Sequence, residues 1–392
     1  MNFYIDRLNN ELRNILNFWY KHVFHDQCIA SEVYSGGTIN KGAPTGSLFL
    51  SKILYGVSAA SRHLKENQYI PLADKAYIDL TTTFKNPKGG FYWAINNNGK
   101  IIHDELNVSY AQTFIAYGLI EYYALTANEQ VKELLSEQIS FIESILVDKE
   151  DGSLMDGFHQ DWKPSISQSK SLGTHLHMLE TYVKLSEVIK DGSCNMKIEN
   201  LLELILTHFI NNKNCEVIQN FDNQWNAMPG ENWIGHNMEL GWSICRAARS
   251  IRNEQLYKKC SQIAIEICNK AIELAFDKQY GGMFNRFDKK ELIVTDKEWW
   301  TQSESVIGFL NAYSLTTDKK YLSYAIRLLE YIDNIFSDAI DGEWYDSVSR
   351  DGTPYLDKPK VHFWKSLYHN VLYCLETSNY LQKLYVGAGE KV

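Results

Sequence analysis

The apolar positions along the chain recur at helical spacing over most of its length. In residues 2–22, Leu8, Leu12, Ile15, Leu16 and Trp19 form one stripe. Residues 47–64 put Leu50, Ile53, Leu54 and Val57 inward, and a Gly/Ser/Pro-rich loop at 35–46 separates the two segments. The same spacing predicts helices over 70–84, 107–125, 128–147, 170–188, 198–209, 236–250, 256–276, 297–315, 319–336 and 362–381. Short alternating stretches lie between some of them. One is Gly89-Gly-Phe-Tyr-Trp93, ended by Asn97-Asn-Gly99. Gly281-Gly-Met-Phe284 repeats it, and Asp341-Gly-Glu-Trp-Tyr345 is a third. Residues 151–169 and 217–232 read as irregular or strand-and-loop segments.

Twelve helices in six pairs, with hairpins between some pairs, argue for a repeated unit. Six antiparallel pairs close into a ring without an exposed end. The pattern therefore predicts an all-α fold, an (α/α)6 barrel with short β-hairpins in its loops. It also predicts one domain over 1–392, because no long Pro-, Gly- or Ser-rich linker divides the chain. An open solenoid is the alternative, and it would expose more apolar surface. The less charged helices, such as 298–315 and 236–250, are the ones expected to line the ring.

Composition narrows the function classes. The 392 residues carry a net charge of −9, which argues against a large basic surface for nucleic acid. Many of the 24 Tyr, 17 Phe and 10 Trp fall in loop-like segments, and aromatic clefts suit the flat, amphipathic faces of sugars. Seven scattered cysteines without a CxxC pair favour a reducing compartment, so a cytoplasmic location is expected. The N-terminus lacks a signal-peptide pattern, and no apolar run reaches the ~18 residues a membrane span needs.

The candidate chemistry gathers at a few helix starts. In Gly235-His-Asn-Met-Glu239, His236 and Glu239 are three apart and share a helix face, the equipment for moving protons. A capping histidine with a surface Glu is the bland alternative. His369, in Phe363-Trp-Lys-Ser-Leu-Tyr-His-Asn370, mirrors that placement. A helix N-terminus disfavours imidazolium and keeps a histidine able to accept a proton. His175 and His177 are two apart and face different ways, and without an HExxH or cysteine cluster no metal site is expected. Trp300 and Glu304 share a face, an indole for stacking beside a carboxylate, or else a core Trp pair with a salt-bridging Glu. Tyr110 belongs to a stripe with Phe114 and Tyr117 that is core or cleft. Two histidines across a cleft suit a two-base reaction at a carbon next to a carbonyl. The enediolate oxyanion then needs donors such as Lys52 and Tyr110.

In order and together, Gly89–Trp93, Tyr110–Tyr117, Thr174-His-Leu-His-Met-Leu-Glu180, Gly235–Glu239, Trp299-Trp-Thr-Gln-Ser-Glu304 and Phe363–Asn370 resemble the N-acylglucosamine 2-epimerase superfamily, with the cellobiose 2-epimerase branch the most similar. The resemblance implies an (α/α)6 barrel that epimerises or isomerises sugars at C2 without an organic cofactor or metal. It implies His236 and His369 as the acid/base pair, His177 for ring opening, and Glu239 to orient His236. Trp299 and Trp364 would stack on sugar rings, and Tyr110, Asp161 and Glu304 would bind hydroxyls or order the site. It leans towards a monomer acting on a mono- or disaccharide, with no nucleic acid or membrane partner.

Three departures bear on the substrate. Lys52 stands where the family usually has Arg, which loses a bidentate fork. Gly173 replaces an Asn, and Ser366-Leu367 replace Cys-Pro. An aldose–ketose isomerase, a glycoside-cleaving enzyme using Asp161, Glu239 and Glu304, and a non-catalytic sugar-binding protein are the competing readings.

Overall fold

The computed structural model describes residues 2–190 and 192–389. Twelve α-helices organise them: α1 (Asn2–Phe18), α2 (Ser47–Leu64), α3 (Ile70–Asp79), α4 (Val108–Thr126), α5 (Glu129–Phe141), α6 (Leu172–Ile189), α7 (Asn195–His208), α8 (Ile234–Ser250), α9 (Glu254–Leu274), α10 (Trp299–Thr316), α11 (Lys319–Tyr331) and α12 (His369–Gly389). The even-numbered helices pack each on the next, and α12 returns to α2, so they close an inner ring. The odd-numbered helices lie outside, each against an inner helix. This is an (α/α)6 barrel.

The sequence sorts the two rings by polarity. In α4, every residue from Ala111 to Tyr122 is buried, and Glu121 is the one charged side chain among them. A helix that is apolar all round must sit inside. In α11, by contrast, Tyr321, Ala325, Leu328 and Leu329 are buried while Lys319, Lys320 and Glu330 face out. That one-sided stripe makes it an outer helix.

The repeat extends into the loops. α1, α3, α5 and α11 each run on into a single π-helical turn. After five outer helices the chain folds back through the same bridge: Lys85 to Phe91, Val147 to Leu154, Ile210 to Val217, Phe276 to Met283, and Ser337 to Trp344. In three units a buried lysine ties down the turn's aspartate: Lys170 to Asp151 (2.7 Å), Lys297 to Asp277 (3.2 Å) and Lys360 to Asp338 (2.6 Å).

Several predicted helix starts shift by two or three residues, and that of the last helix by more. Residues 164–171 form a strand paired with Asp156–Phe158 and Asn220–Asp222, so α6 begins at Leu172 rather than 170. Its Ser-Ile-Ser-Gln-Ser alternation carries too few apolar residues to stand out as a strand. Residues 362–368 are not helical, and α12 begins at His369. Lys365 pins this strap by donating to the carbonyl of Lys360 (2.6 Å) and to Glu343 (2.9 Å). Among the described residues no helix is long and apolar enough to cross a membrane.

Candidate active site

The inner helices bring their first two turns together at one end of the barrel. There α2 supplies Lys52, α4 Tyr110, α6 His177, α8 His236 and Glu239, α10 Trp299, Trp300 and Glu304, and α12 His369. Their N-terminal dipoles add to burial in disfavouring positive charge on the imidazoles.

Each histidine is held at Nδ1 by a different partner. His236 faces Gln219 Oε1 at 3.1 Å, and Gln219 in turn donates to Asn237 (3.1 Å), which donates to Asn232 (2.7 Å). The amide oxygen accepts, so His236 carries its proton on Nδ1 and turns the Nε2 lone pair outwards. His369 Nδ1 meets Glu304 Oε1 at 2.8 Å, while the other Glu304 oxygen accepts from the Trp242 indole (2.9 Å). His177 Nδ1 meets Glu180 Oε2 at 3.2 Å, and its Nε2 meets the Tyr110 hydroxyl at 3.2 Å. Glu180 also accepts from Ser243 (2.5 Å) and Tyr368 (2.8 Å).

His236 and His369 share one neighbour. Their ring centroids lie 5.1 and 5.5 Å from that of Trp300. Gly235 makes that possible, since a Cβ there would fall 2.2 Å from the Trp300 ring. The indole is fixed by its bond to Glu298 (2.6 Å).

Burial governs the charge states. It pushes His236 down to about 3, with His177 and Lys52 adding to the effect. It holds His369 well below its ordinary value, again with help from Lys52. His177 is lowered by burial despite Glu180. All three imidazoles are therefore neutral at pH 7. Burial also pushes Glu304 well up. Glu239 is raised well above an ordinary carboxyl by burial and then by Glu304 and Glu180. Glu180 goes the other way: burial opposes ionisation, but its bonds from His177, Ser243 and Tyr368 outweigh that and lower it. Burial brings Lys52 down to about 8, partly offset by Glu239. Its ammonium donates to the Trp364 carbonyl (3.3 Å) and lies 4.8 Å from the Phe114 ring centre.

Several expected roles change. Gln219, not Glu239, holds His236. Glu239 is fully buried, and among the described residues neither of its oxygens has a hydrogen-bond partner, the nearby Tyr368 hydroxyl being given to Glu180. Leaving a buried carboxyl without a partner is costly, so the position calls for a water or a bound molecule to meet it. Glu304 orders His369. Asp161 is not brought to the cluster: it lies in the tight turn at 159–163 and pairs with Lys163 (2.9 Å) and Lys88 (3.7 Å). Trp299 is buried near His369 (6.4 Å), with its indole nitrogen unpartnered. Trp364 is exposed beside Trp93 (5.6 Å), a rim position. His175 serves the fold, accepting from the backbone of Leu154 (3.0 Å). The sequence reading missed Gln219, Glu180, Trp242 and Tyr368 as partners. Glu180 was within reach of it, because His177 and Glu180 repeat the three-residue spacing of His236 and Glu239.

Among the described residues, two groups could hold a metal by proximity alone: His177, Glu180 and Glu239, and Glu239, Glu304 and His369, each with ligand atoms within 4.8 Å of one another. In both, two of the three side chains are already bonded to each other.

Residues 31–373 match the family described as N-acylglucosamine 2-epimerase (GlcNAc 2-epimerase). The chain belongs to that family. Among its relatives, a cellobiose 2-epimerase of Dictyoglomus turgidum is 32% identical over 345 residues, covering 85% of this chain and 87% of the relative. The solved structure of a cellobiose 2-epimerase from Bacillus thermoamylovorans B4167 superposes with a TM-score of 0.87 at 28% identity, covering 97% of this chain and 100% of that one. A D-mannose isomerase structure shares the fold, with a TM-score of 0.86 at 17% identity, covering 95% of this chain and 97% of the other. This member of the N-acylglucosamine 2-epimerase family is an enzyme of the sugar epimerase and isomerase class.

Proposed function

We propose that the enzyme epimerises C2 of the reducing-end sugar of a glucose- or mannose-type substrate, including β-1,4-linked disaccharides such as cellobiose, through an enediolate. The observation that carries this reading is the pair of neutral imidazoles, each fixed at Nδ1 and both packed against the Trp300 ring. His236, with its Nε2 lone pair outwards, takes the C2 proton. As the C1 carbonyl gains negative charge, the Lys52 ammonium meets it. Burial favours a proton on Glu304, and a carboxyl that donates to His369 Nδ1 leaves an N–H on Nε2. His369 then protonates C2 from the opposite face, and the roles reverse for the other epimer. Glu239 offers a carboxyl to sugar oxygens.

A glycosidase needs two free carboxyls, ~5–5.5 Å or ~6.5–9.5 Å apart. Here Glu180 and Glu304 are each committed to a histidine, which leaves Glu239 alone.

Incubation in heavy water with cellobiose, mannobiose, glucose, mannose and N-acetylmannosamine tests the proposal. Deuterium at C2 together with the epimer is the expected result. Deuterium at C1 with a ketose would mean an isomerase, and no exchange with any of these sugars overturns the proposal.

The pH profile carries a second expectation. The Lys52 cation is present below about 8 and is lost as pH rises through it. His236 is pushed down to about 3 and His369 well below its ordinary value, so both stay neutral on the acid side of neutrality. kcat/KM should therefore fall on the alkaline side near pH 8. Lys52→Arg, whose charge does not titrate, should move that limb upwards. An unmoved limb in Lys52→Arg would remove Lys52 from the reaction.

A further inference from the structure

We infer that the end of the barrel opposite the active site holds a second small-molecule site, one for a phosphate monoester of about hexose size, whose occupancy reaches His369 through Trp242.

The active-site side chains come from the first two turns of the inner helices, and the second site lies towards their other ends. There α6, α8, α10 and α12 surround a cavity of about 400 Å³. Sites for small molecules start at roughly 300 Å³, so a monosaccharide with one phosphoryl group fits.

The charges of its wall do not cancel. Glu187 and Glu376, the acidic side chains of the wall, are both taken by Arg246 (2.9 and 3.3 Å). Lys184 is engaged by Glu121 (2.8 Å). Arg249 of α8 and Lys383 of α12 remain, and among the described residues neither meets a carboxylate. Arg249 is held instead by Tyr257, whose hydroxyl accepts from Nη2 (2.5 Å), and Lys383 lies 5.9 Å from the Tyr380 ring centre. Compensation of the helix dipole accounts for a cation in the last turn of α8. It does not account for Lys383, which lies more than a turn before the end of α12. Two cations without a carboxylate match the charge of a phosphate monoester, about −1.5 to −2 at neutral pH, whereas a carboxylate would balance one of them. The rest of the wall suits a sugar. Asn311 and Ser250 offer polar groups to hydroxyls, and Trp242 and Tyr380 offer apolar faces.

Trp242 belongs to both ends of the barrel. It lines the cavity, and its indole N–H donates to Glu304 (2.9 Å), whose other oxygen meets His369 Nδ1 (2.8 Å). A molecule that displaces this ring from the cavity side alters the bond that orders His369.

Calorimetric titration with glucose 6-phosphate, glucose and inorganic phosphate tests the site. The wild type should bind glucose 6-phosphate, and more tightly than inorganic phosphate. The double variant Arg249→Gln/Lys383→Gln should bind it about 10-fold to 100-fold more weakly for each cation removed. Its basal turnover and its binding of glucose should be unchanged. Turnover is then followed with whichever sugar undergoes exchange in heavy water. Glucose 6-phosphate should change kcat of the wild type by about 2-fold or more. Trp242→Phe, which keeps a ring but not the N–H, should bind the ester and show no such change. Absence of binding, equal binding by the double variant, or inorganic phosphate bound as tightly as the ester each overturns the site. Binding with an unmoved kcat overturns its link to His369. The calorimetry needs no turnover, so the site and the reading at C2 fail separately.

Discussion

His369→Ala is expected to lower C2 epimerisation by about 100-fold to 10,000-fold, and His236→Ala by a similar factor, the usual cost of removing a positioned acid or base. The two variants should differ in their side effects. His236 is held by a neutral amide chain through Gln219, Asn237 and Asn232, and its loss leaves amides that water can satisfy. His369 is the partner of a fully buried carboxyl. Without it Glu304 keeps only the Trp242 indole, so His369→Ala should also lower the melting temperature. His369→Gln, which can still bond Glu304, should recover stability without recovering epimerisation. With a substrate deuterated at C2, wash-out into water assigns the bases. If one histidine serves each face, His236→Ala should spare removal from one epimer and His369→Ala from the other. Wild-type epimerisation in either variant, or wash-out spared from both epimers, would end the two-base account.

The largest expected effect on stability lies beneath the site. Lys365 and Glu343 are both buried and paired at 2.9 Å, and Glu343 also accepts from Trp19 (2.5 Å), Asn370 (2.8 Å) and the Trp344 backbone (2.9 Å). Lys365→Met leaves an uncompensated buried carboxylate and should cost about 3–5 kcal/mol of unfolding free energy. The double variant Lys365→Met/Glu343→Gln should lose less, because desolvation of the lone charge is removed. Urea denaturation of the two single variants and the double variant measures the coupling. A double variant no more stable than Lys365→Met would mean that packing, not charge, sets the cost.

The ring and its membership were legible because burial on all sides writes a continuous apolar helix, and 107–125 and 297–315 carry that signature. The ends of those helices were less legible. The strand at 164–171 is too polar to show a period, and the strap at 362–368 is shaped by Lys365, whose partner is remote in sequence. Within the site, pairs on one helix could be read from spacing. Pairs between helices could not. Gln219, which holds His236, lies 17 residues away in a loop, and Glu304, which holds His369, is 65 residues away on α10. Spacing suggested Glu239 for His236 because the two share a face, but sharing a face does not fix which neighbour a ring nitrogen meets. Asp161 shows the opposite error: a carboxylate in an aromatic loop looks like a ligand group until Lys88 and Lys163 are seen to claim it.

That His369 opens the last inner helix, directly after the strap, has a consequence for biogenesis. α12 both closes the ring, by packing on α2 and α10, and delivers the second imidazole. A growing or trimmed chain that stops short of this helix has neither a sealed barrel nor a pair of bases. Turnover should therefore switch on only when the circle is complete, so catalysis itself becomes a reporter of finished folding and half-made chains leave sugars untouched.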